Sequence, residues 1–251
     1  MDKIYDVEDE KLTPFAHRFI KMVGKAINKH SMIRENEKVL LSVSGGKDSL
    51  ALSFALAKRL KWLPISYHLE ALMINWQESS ITDIERQNLI EFYKKLEIPF
   101  TILDQPKYPD SFKGDFNCYL CSRNRRRIFF DWAKENDFKL IAMGHHLDDL
   151  VETTLLNLTS RATFSTMLPV QEFFKGSIHV IRPLIEIPEH TIVQLTKLYN
   201  FPVSKSTCPH DQTNIRSQLK PIVRSLVKID KNARQHLYNA HQFSYQIPRE
   251  R

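Results

Sequence analysis

A six-residue stretch, Ser44-Gly45-Gly46-Lys47-Asp48-Ser49, separates two apolar runs of different character. Before it, Val39-Leu40-Leu41-Ser42-Val43 is short, β-branched and aliphatic, the composition of a buried strand. After it, Leu50-Ala51-Leu52-Ser53-Phe54-Ala55-Leu56-Ala57 is rich in helix formers. A strand that turns through Ser and Gly into a helix builds an anion site. The glycines let backbone N–H groups point inward, and the helix dipole favours negative charge. Ser44 and Ser49 add hydroxyl donors, and Lys47 adds a positive charge. The spacing G-x-x-x-x-G-K-[ST] is absent, so this is not a Walker A loop.

A second strand-to-helix turn follows downstream at Met143-Gly144-His145-His146-Leu147-Asp148-Asp149-Leu150-Val151-Glu152-Thr153. Gly144 and the first-turn amides again favour an anion, yet Asp148 and Asp149 in the same turn would repel a phosphate. Mg²⁺ reconciles the two, because it takes few carboxylates and fills its shell with phosphate and water oxygens. A zinc or di-metal hydrolase site and simple helix capping by the two aspartates are the competing readings.

The chain has three cysteines. Cys118 and Cys121 stand in a C-x-x-C pair followed by Ser122-Arg123-Asn124-Arg125-Arg126-Arg127, and Cys208 lies far downstream. A redox pair leaves Cys208 without a role. A Cys₃His zinc site would recruit His210, and a [4Fe–4S] cluster on three thiolates would leave one iron open. Spacing alone does not choose between zinc and cluster.

Elsewhere the pattern alternates. Thr13 and Pro14 open an amphipathic helix through Phe15, Phe19, Met22, Val23, Ala26 and Ile27. Strands are expected at residues 69–75, 100–103, 139–143 and 179–182, and helices at 84–96, 123–136, 148–157 and 189–199. The fold class is therefore α/β, a doubly wound parallel sheet with flanking helices. From Ile215 an apolar stripe is flanked by Arg216, Lys220, Arg224 and Lys228, which reads as a helix packed on the core with a basic, RNA-contacting or merely solvated face. The expected organisation is an N-terminal helix over 1–30, a nucleotide-binding and catalytic domain over 31–212, and a basic helical segment over 213–251. A net charge of +7 suits a polyanionic partner such as nucleic acid. No apolar run reaches membrane-spanning length, and the acidic first ten residues lack a signal-peptide core, so a cytoplasmic protein is expected.

Ser-Gly-Gly-x-Asp-Ser resembles the pyrophosphate loop (PP-loop) of ATP-dependent adenylating enzymes, the adenine nucleotide α-hydrolase-like fold. Taken with Cys118-x-x-Cys121-Ser122-Arg123, Gly144-His145-His146-x-Asp148-Asp149, Glu152-Thr153, Asn157, Ile181-Arg182-Pro183-Leu184 and Cys208, the chain from about Val23 to Arg224 resembles the tRNA 2-thiocytidine biosynthesis family. The resemblance implies ATP, Mg²⁺ and a [4Fe–4S] cluster as cofactors, with Cys118, Cys121 and Cys208 as cluster ligands. It implies that Ser44, Gly45, Gly46, Lys47, Asp48, Ser49, Gly144 and His145 bind nucleotide, with adenine against the backbone of Met73 and Ile74. Asp48, Asp148, Asp149 and Arg126 would be the catalytic set, with Arg126 or Arg125 on a nucleotide or RNA phosphate. The implied reaction is adenylation of a cytidine 2-oxygen at anticodon-loop position 32, followed by replacement of AMP by sulfide. The implied partners are tRNA and a sulfur-donor system such as a cysteine desulfurase, with no membrane, and a homodimer is compatible with the pattern. A tRNA lysidine synthetase, a uridine thiolase, a thiobase desulfidase and a non-catalytic ATP- or cluster-binding protein are the alternatives. The family usually carries glycines and a lysine where this chain has Thr159-Ser160-Arg161-Ala162-Thr163-Phe164. Arg127 stands where glycine is common, and Pro209-His210-Asp211-Gln212 also departs. These departures are expected near the substrate mouth.

Overall fold

The computed structural model describes residues 4–62, 65–108, 112, 117–205 and 215–240. Thr13 accepts a hydrogen bond from the Ala16 amide at 3.1 Å and caps helix α1 (Pro14–Lys29), with proline at its first position. Strand β1 (Lys38–Val43) runs into helix α2 (Lys47–Leu60), the strand-to-helix step expected around the Ser/Gly loop. Strand β2 (His68–Trp76) follows, then helix α3 (Asp83–Lys95), whose start is fixed by a capping box between Thr82 and Glu85. Strand β3 (Phe100–Gln105), helix α4 (Cys118–Glu135), strand β4 (Leu140–Met143) and helix α5 (Leu147–Arg161) come next. The chain closes with a hairpin of β5 (Val170–Phe173) and β6 (Ile178–Ile181), then helices α6 (Glu189–Leu198), α7 (Ile215–Ile229) and α8 (Ala233–Ala240).

The six strands form one sheet in the order β3-β2-β1-β4-β6-β5. All neighbours are parallel except the edge pair β5 and β6. The sheet is buried on both faces, so its strands read as continuous apolar runs whose alternate residues serve different cores. Val39, Leu41 and Val43 of β1 and Ala71 and Met73 of β2 join α1, α2, α3 and α6 in the larger core. Leu40, Leu72, Ile74 and Trp76 point the other way, onto Phe129, Phe130 and Ala133 of α4. Helix α1 thus belongs to the main core rather than standing apart. In α7, Leu219 and Val223 are buried whereas Ile222 and Ile229 face solvent.

Two local features differ from the sequence expectation. Helix α4 begins at Cys118, five residues before the predicted start, because Asn117 accepts from the Leu120 amide and caps it there. Strand β5 was not expected. Its four residues show no long alternation, and it is held by pairing to β6 and by Phe173 against Phe130, ring centroids 4.9 Å apart. Pro221 lies inside α7 without ending it. Among the described residues, no helix is long and apolar enough to cross a membrane.

Helix α5 ends on Ala162, which adopts a left-handed conformation (φ 50°) while its N–H donates to the Asn157 carbonyl. Only glycine takes this conformation without steric strain. Ala162→Gly is expected to raise stability by about 0.5–1 kcal/mol, read as a higher urea midpoint at unchanged m-value.

Candidate active site

The strand order reverses between β1 and β4, and the loops leaving these two neighbouring strands meet at their carboxyl ends. The contact is backbone on backbone. A Cβ on Gly144 would lie 2.9 Å from the Asp48 carbonyl carbon and 3.0 Å from the Ser49 nitrogen. Gly45 is in the left-handed region (φ 76°), and a Cβ there would strike Ser204. Ser204 donates its N–H to the Gly45 carbonyl at 3.0 Å. Within the loop, the Ser49 hydroxyl donates to the Gly46 carbonyl at 2.9 Å, and Ser44 N–H donates to Ser49 Oγ at 3.3 Å. These bonds hold the turn open above the first amides of α2.

Lys47 extends between two carboxylates, Asp48 Oδ2 at 3.0 Å and Glu189 Oε1 at 2.9 Å. Burial pushes its ammonium toward the neutral form, but Asp48 and Glu189 outweigh that and hold its pKa above the ordinary lysine value. Asp48 is shifted up by burial, against the pull of His146 and Lys47. Its Oδ1 is buried with no hydrogen-bond donor among the described residues, and His146 Nε2 stands 3.7 Å away. A buried carboxylate oxygen without a donor is a site that a hard cation completes.

The second turn is organised by its own side chains. His146 caps α5, accepting from the Asp149 amide at 3.4 Å, while Asp149 Oδ2 accepts from the His146 amide at 2.9 Å. Asp148 is buried and caps a different helix, accepting from the Glu189 amide at 2.8 Å; its other oxygen meets Arg234 of α8. The capping reading of both aspartates is therefore realised. Asp149 also adds negative charge beside Asp48. Glu152, one turn further and 3% exposed, is pushed up to about 7 by burial and by Asp149, against Lys220 and His146.

Met73 and Ile74 are buried in β2. The pairing of β2 with β1 stops at Met73, so the β1-facing edge of β2 is open from Ile74 onward. Met73 reaches over the glycine loop, its Cε 3.5 Å from where a Gly45 Cβ would stand. Helix α4 enters from the carboxyl end of β3 and carries Cys118, exposed, and Cys121, half-buried, in its first turn. The i, i+3 spacing puts both thiols on one helix face. Cys208 and His210 lie outside the described residues. Arg125 lies over the Trp76 ring, 5.5 Å to the centroid. Arg126 is exposed on α4, close enough to the buried Arg182 to add to burial in lowering its pKa to about 10.

Glu189 and Arg234 carry no local motif and were not anticipated. Glu189 merely starts a helix in the sequence pattern, and Arg234 falls in an eight-residue helix with no stripe to announce it. Lys220 was visible as part of the basic face, but not as a neighbour of Glu189 at 3.8 Å.

A family model described as a PP-loop domain matches residues 14–225. The tRNA-cytidine(32) 2-sulfurtransferase of Bdellovibrio bacteriovorus is 32% identical over 219 residues, spanning 86% of this chain and 83% of the relative. That of Polaromonas sp. is 33% identical over 241 residues, spanning 93% of this chain and 75% of the relative. The chain belongs to the PP-loop tRNA-cytidine(32) 2-sulfurtransferase family. Among solved structures, the U34-tRNA thiolase NcsA from Methanococcus maripaludis with its [4Fe–4S] cluster has the same fold, with TM-score 0.73 and 24% identity over 90% of this chain and 78% of that one. Membership in this family makes the domain an ATP-binding PP-loop domain.

Two outcomes follow from the geometry. Gly144→Ala drives a Cβ into backbone that cannot rotate away, so ATP affinity should fall at least about tenfold by calorimetry while the far-UV spectrum is kept. Glu152 binds its proton more tightly in the folded chain than in the unfolded one. Its penalty is thus absent below the unfolded value of 4.5 and complete above about 7. Glu152→Gln should raise stability at pH 8, by an amount on the order of 3 kcal/mol, and give no gain at pH 4.5 in denaturant titrations.

Proposed function

We propose that the protein converts a cytidine of tRNA, at anticodon-loop position 32, to 2-thiocytidine through an adenylated intermediate. The observation that carries this reading is the convergence at one sheet edge of the PP-loop, the donorless Asp48 oxygen and the two α4 thiols.

The PP-loop amides, Lys47 and the Ser44 and Ser49 hydroxyls would hold the β- and γ-phosphates of ATP. Asp48, with Asp149 beside it, would hold Mg²⁺, which would offset the charge of the phosphates, while Asp148 fixes the start of α6. The open edge of β2 at Met73 and Ile74 would take adenine through backbone groups. The cytosine 2-oxygen attacks the α-phosphorus; the bond to the bridging oxygen breaks, and pyrophosphate leaves with its charge stabilised by the loop. An amide-like oxygen is a poor leaving group, whereas the bound AMP is a good one. Addition of a sulfur nucleophile at C2 then expels AMP. Cys118 and Cys121 are thiols on one helix face, which fits soft-metal ligation, and Cys208 would be the third ligand. A [4Fe–4S] cluster on these residues would supply the sulfur-transfer chemistry. Arg126, exposed near the buried Arg182, gives the α4 side of the site a positive wall for a phosphate of ATP or RNA. Arg224 and Lys228, exposed on α7, would offer tRNA a further basic surface. A cysteine desulfurase system would replenish sulfur, and the reaction belongs in the cytoplasm, where ATP and tRNA are available.

The test is tRNA-dependent release of AMP and pyrophosphate from ATP, with 2-thiocytidine read by mass spectrometry of digested tRNA. Protein loaded with iron and sulfide without oxygen should modify only tRNA bearing C32. Asp48→Asn should abolish AMP release, and Cys208→Ala should keep ATP binding but form no thiocytidine. Full thiolation by the Cys208 variant, or AMP release indifferent to tRNA, would overturn the reading.

A further inference from the structure

The carboxylates around the PP-loop are too many for the cations of the loop itself. Asp48, Asp148, Asp149, Glu152 and Glu189 cluster there, and the polyphosphate of ATP would add further negative charge. Lys47 is shared between Asp48 and Glu189. The remaining compensation comes from the C-terminal hairpin. Arg234 of α8 donates its Nε–H to Asp148 Oδ1, and Lys220 of α7 stands 3.8 Å from Glu189 Oε1. Both helices pack on α5.

These contacts form one connected path. Arg234 holds Asp148. Asp148 accepts from the Glu189 amide at 2.8 Å, fixing the first residue of α6. Glu189 receives Lys47 at 2.9 Å, and Lys47 pairs with Asp48 at 3.0 Å. Asp148 is 4% exposed, so a second charge partner from solvent is not at hand.

We propose that Arg234 is a positioning residue for ATP, acting through Asp148 and Glu189 on Lys47, so that the C-terminal hairpin completes the nucleotide site. Without Arg234, Asp148 would be a buried carboxylate with one backbone donor beside Asp149 and Glu152. It would either repel the polyphosphate or turn away and release α6, and with it Glu189 and Lys47. The inference rests on ATP binding by the PP-loop and is independent of which base is modified.

The same hairpin offers a control. Tyr238 of α8 anchors the helix at a second point, with its hydroxyl 3.4 Å from His30 Nε2 and 3.5 Å from Glu186 Oε1. Replacing Tyr238 loosens the attachment of α8 while keeping every side chain on the path from Arg234 to Lys47.

The experiment is calorimetric titration of Mg·ATP into the full chain without RNA, paired with thermal unfolding. Arg234→Gln should weaken ATP affinity about tenfold, and Arg234→Lys should recover most of it. Tyr238→Leu should lower Tm and leave ATP affinity near wild type. Adding Arg234→Gln to Asp148→Asn should cause no further loss, because both act at one bond. Wild-type ATP affinity in Arg234→Gln would overturn the proposal. So would equal losses of affinity in the Arg234→Gln and Tyr238→Leu variants at equal loss of Tm. Thiolation is not the readout, so a protein that binds ATP but modifies no cytidine overturns the functional reading and leaves this test standing.

Discussion

The active site depends on one backbone contact, Gly144 against the first turn of α2. Strands β1 and β4 are hydrogen-bonded neighbours, so the loops that leave them start about 5 Å apart. A side chain at residue 144 would force them apart, and the PP-loop would open toward its neighbour instead of facing it. Glycine lets the two turns close, and the closure brings His146 to Asp48 and Asp148 to the start of α6. Each of those contacts joins residues far apart in sequence, and each follows from the same approach.

Closure creates an electrostatic difficulty, and much of the surrounding structure answers it. Burial, with the charge of Asp149 added to it, raises the pKa of both Asp48 and Glu152. A metal at the donorless Asp48 oxygen would relieve this locally. The protein adds relief of its own from α7 and α8, which place Lys220 and Arg234 on the far side of the cluster.

How far the sequence shows this is instructive. Each strand-turn-helix signal around residues 44–49 and 143–149 is local, and each was readable because period, glycine and cap residues lie within a dozen positions. The α/β class and its mostly parallel sheet followed from alternation, whereas the strand order and the antiparallel edge did not. The roles within the second turn did not. Asp148 and Asp149 are adjacent and chemically equivalent as text, yet the helix geometry points Asp148 into the protein toward Glu189 and Arg234 and leaves Asp149 in its own capping box. No periodicity distinguishes them. Glu189 and Arg234 were missed for the related reason that their partners are more than forty residues away. Strand β5 was missed because its stability comes from β6 and Phe130 rather than from its own four residues.

The placement of the cysteines bears on the order of chemistry. Helix α4 follows β3 and so begins at the carboxyl edge of the sheet, the edge from which the PP-loop and the Gly144 turn also emerge. The thiols and the Ser44–Ser49 loop thus follow different strands at the same carboxyl edge of the sheet. Ser204, four residues before Cys208 in sequence, is hydrogen-bonded to the PP-loop itself. An adenylated base is labile to water, and its lifetime favours an enzyme that delivers sulfur without releasing it. Building both half-reactions on loops of a single sheet edge meets that requirement.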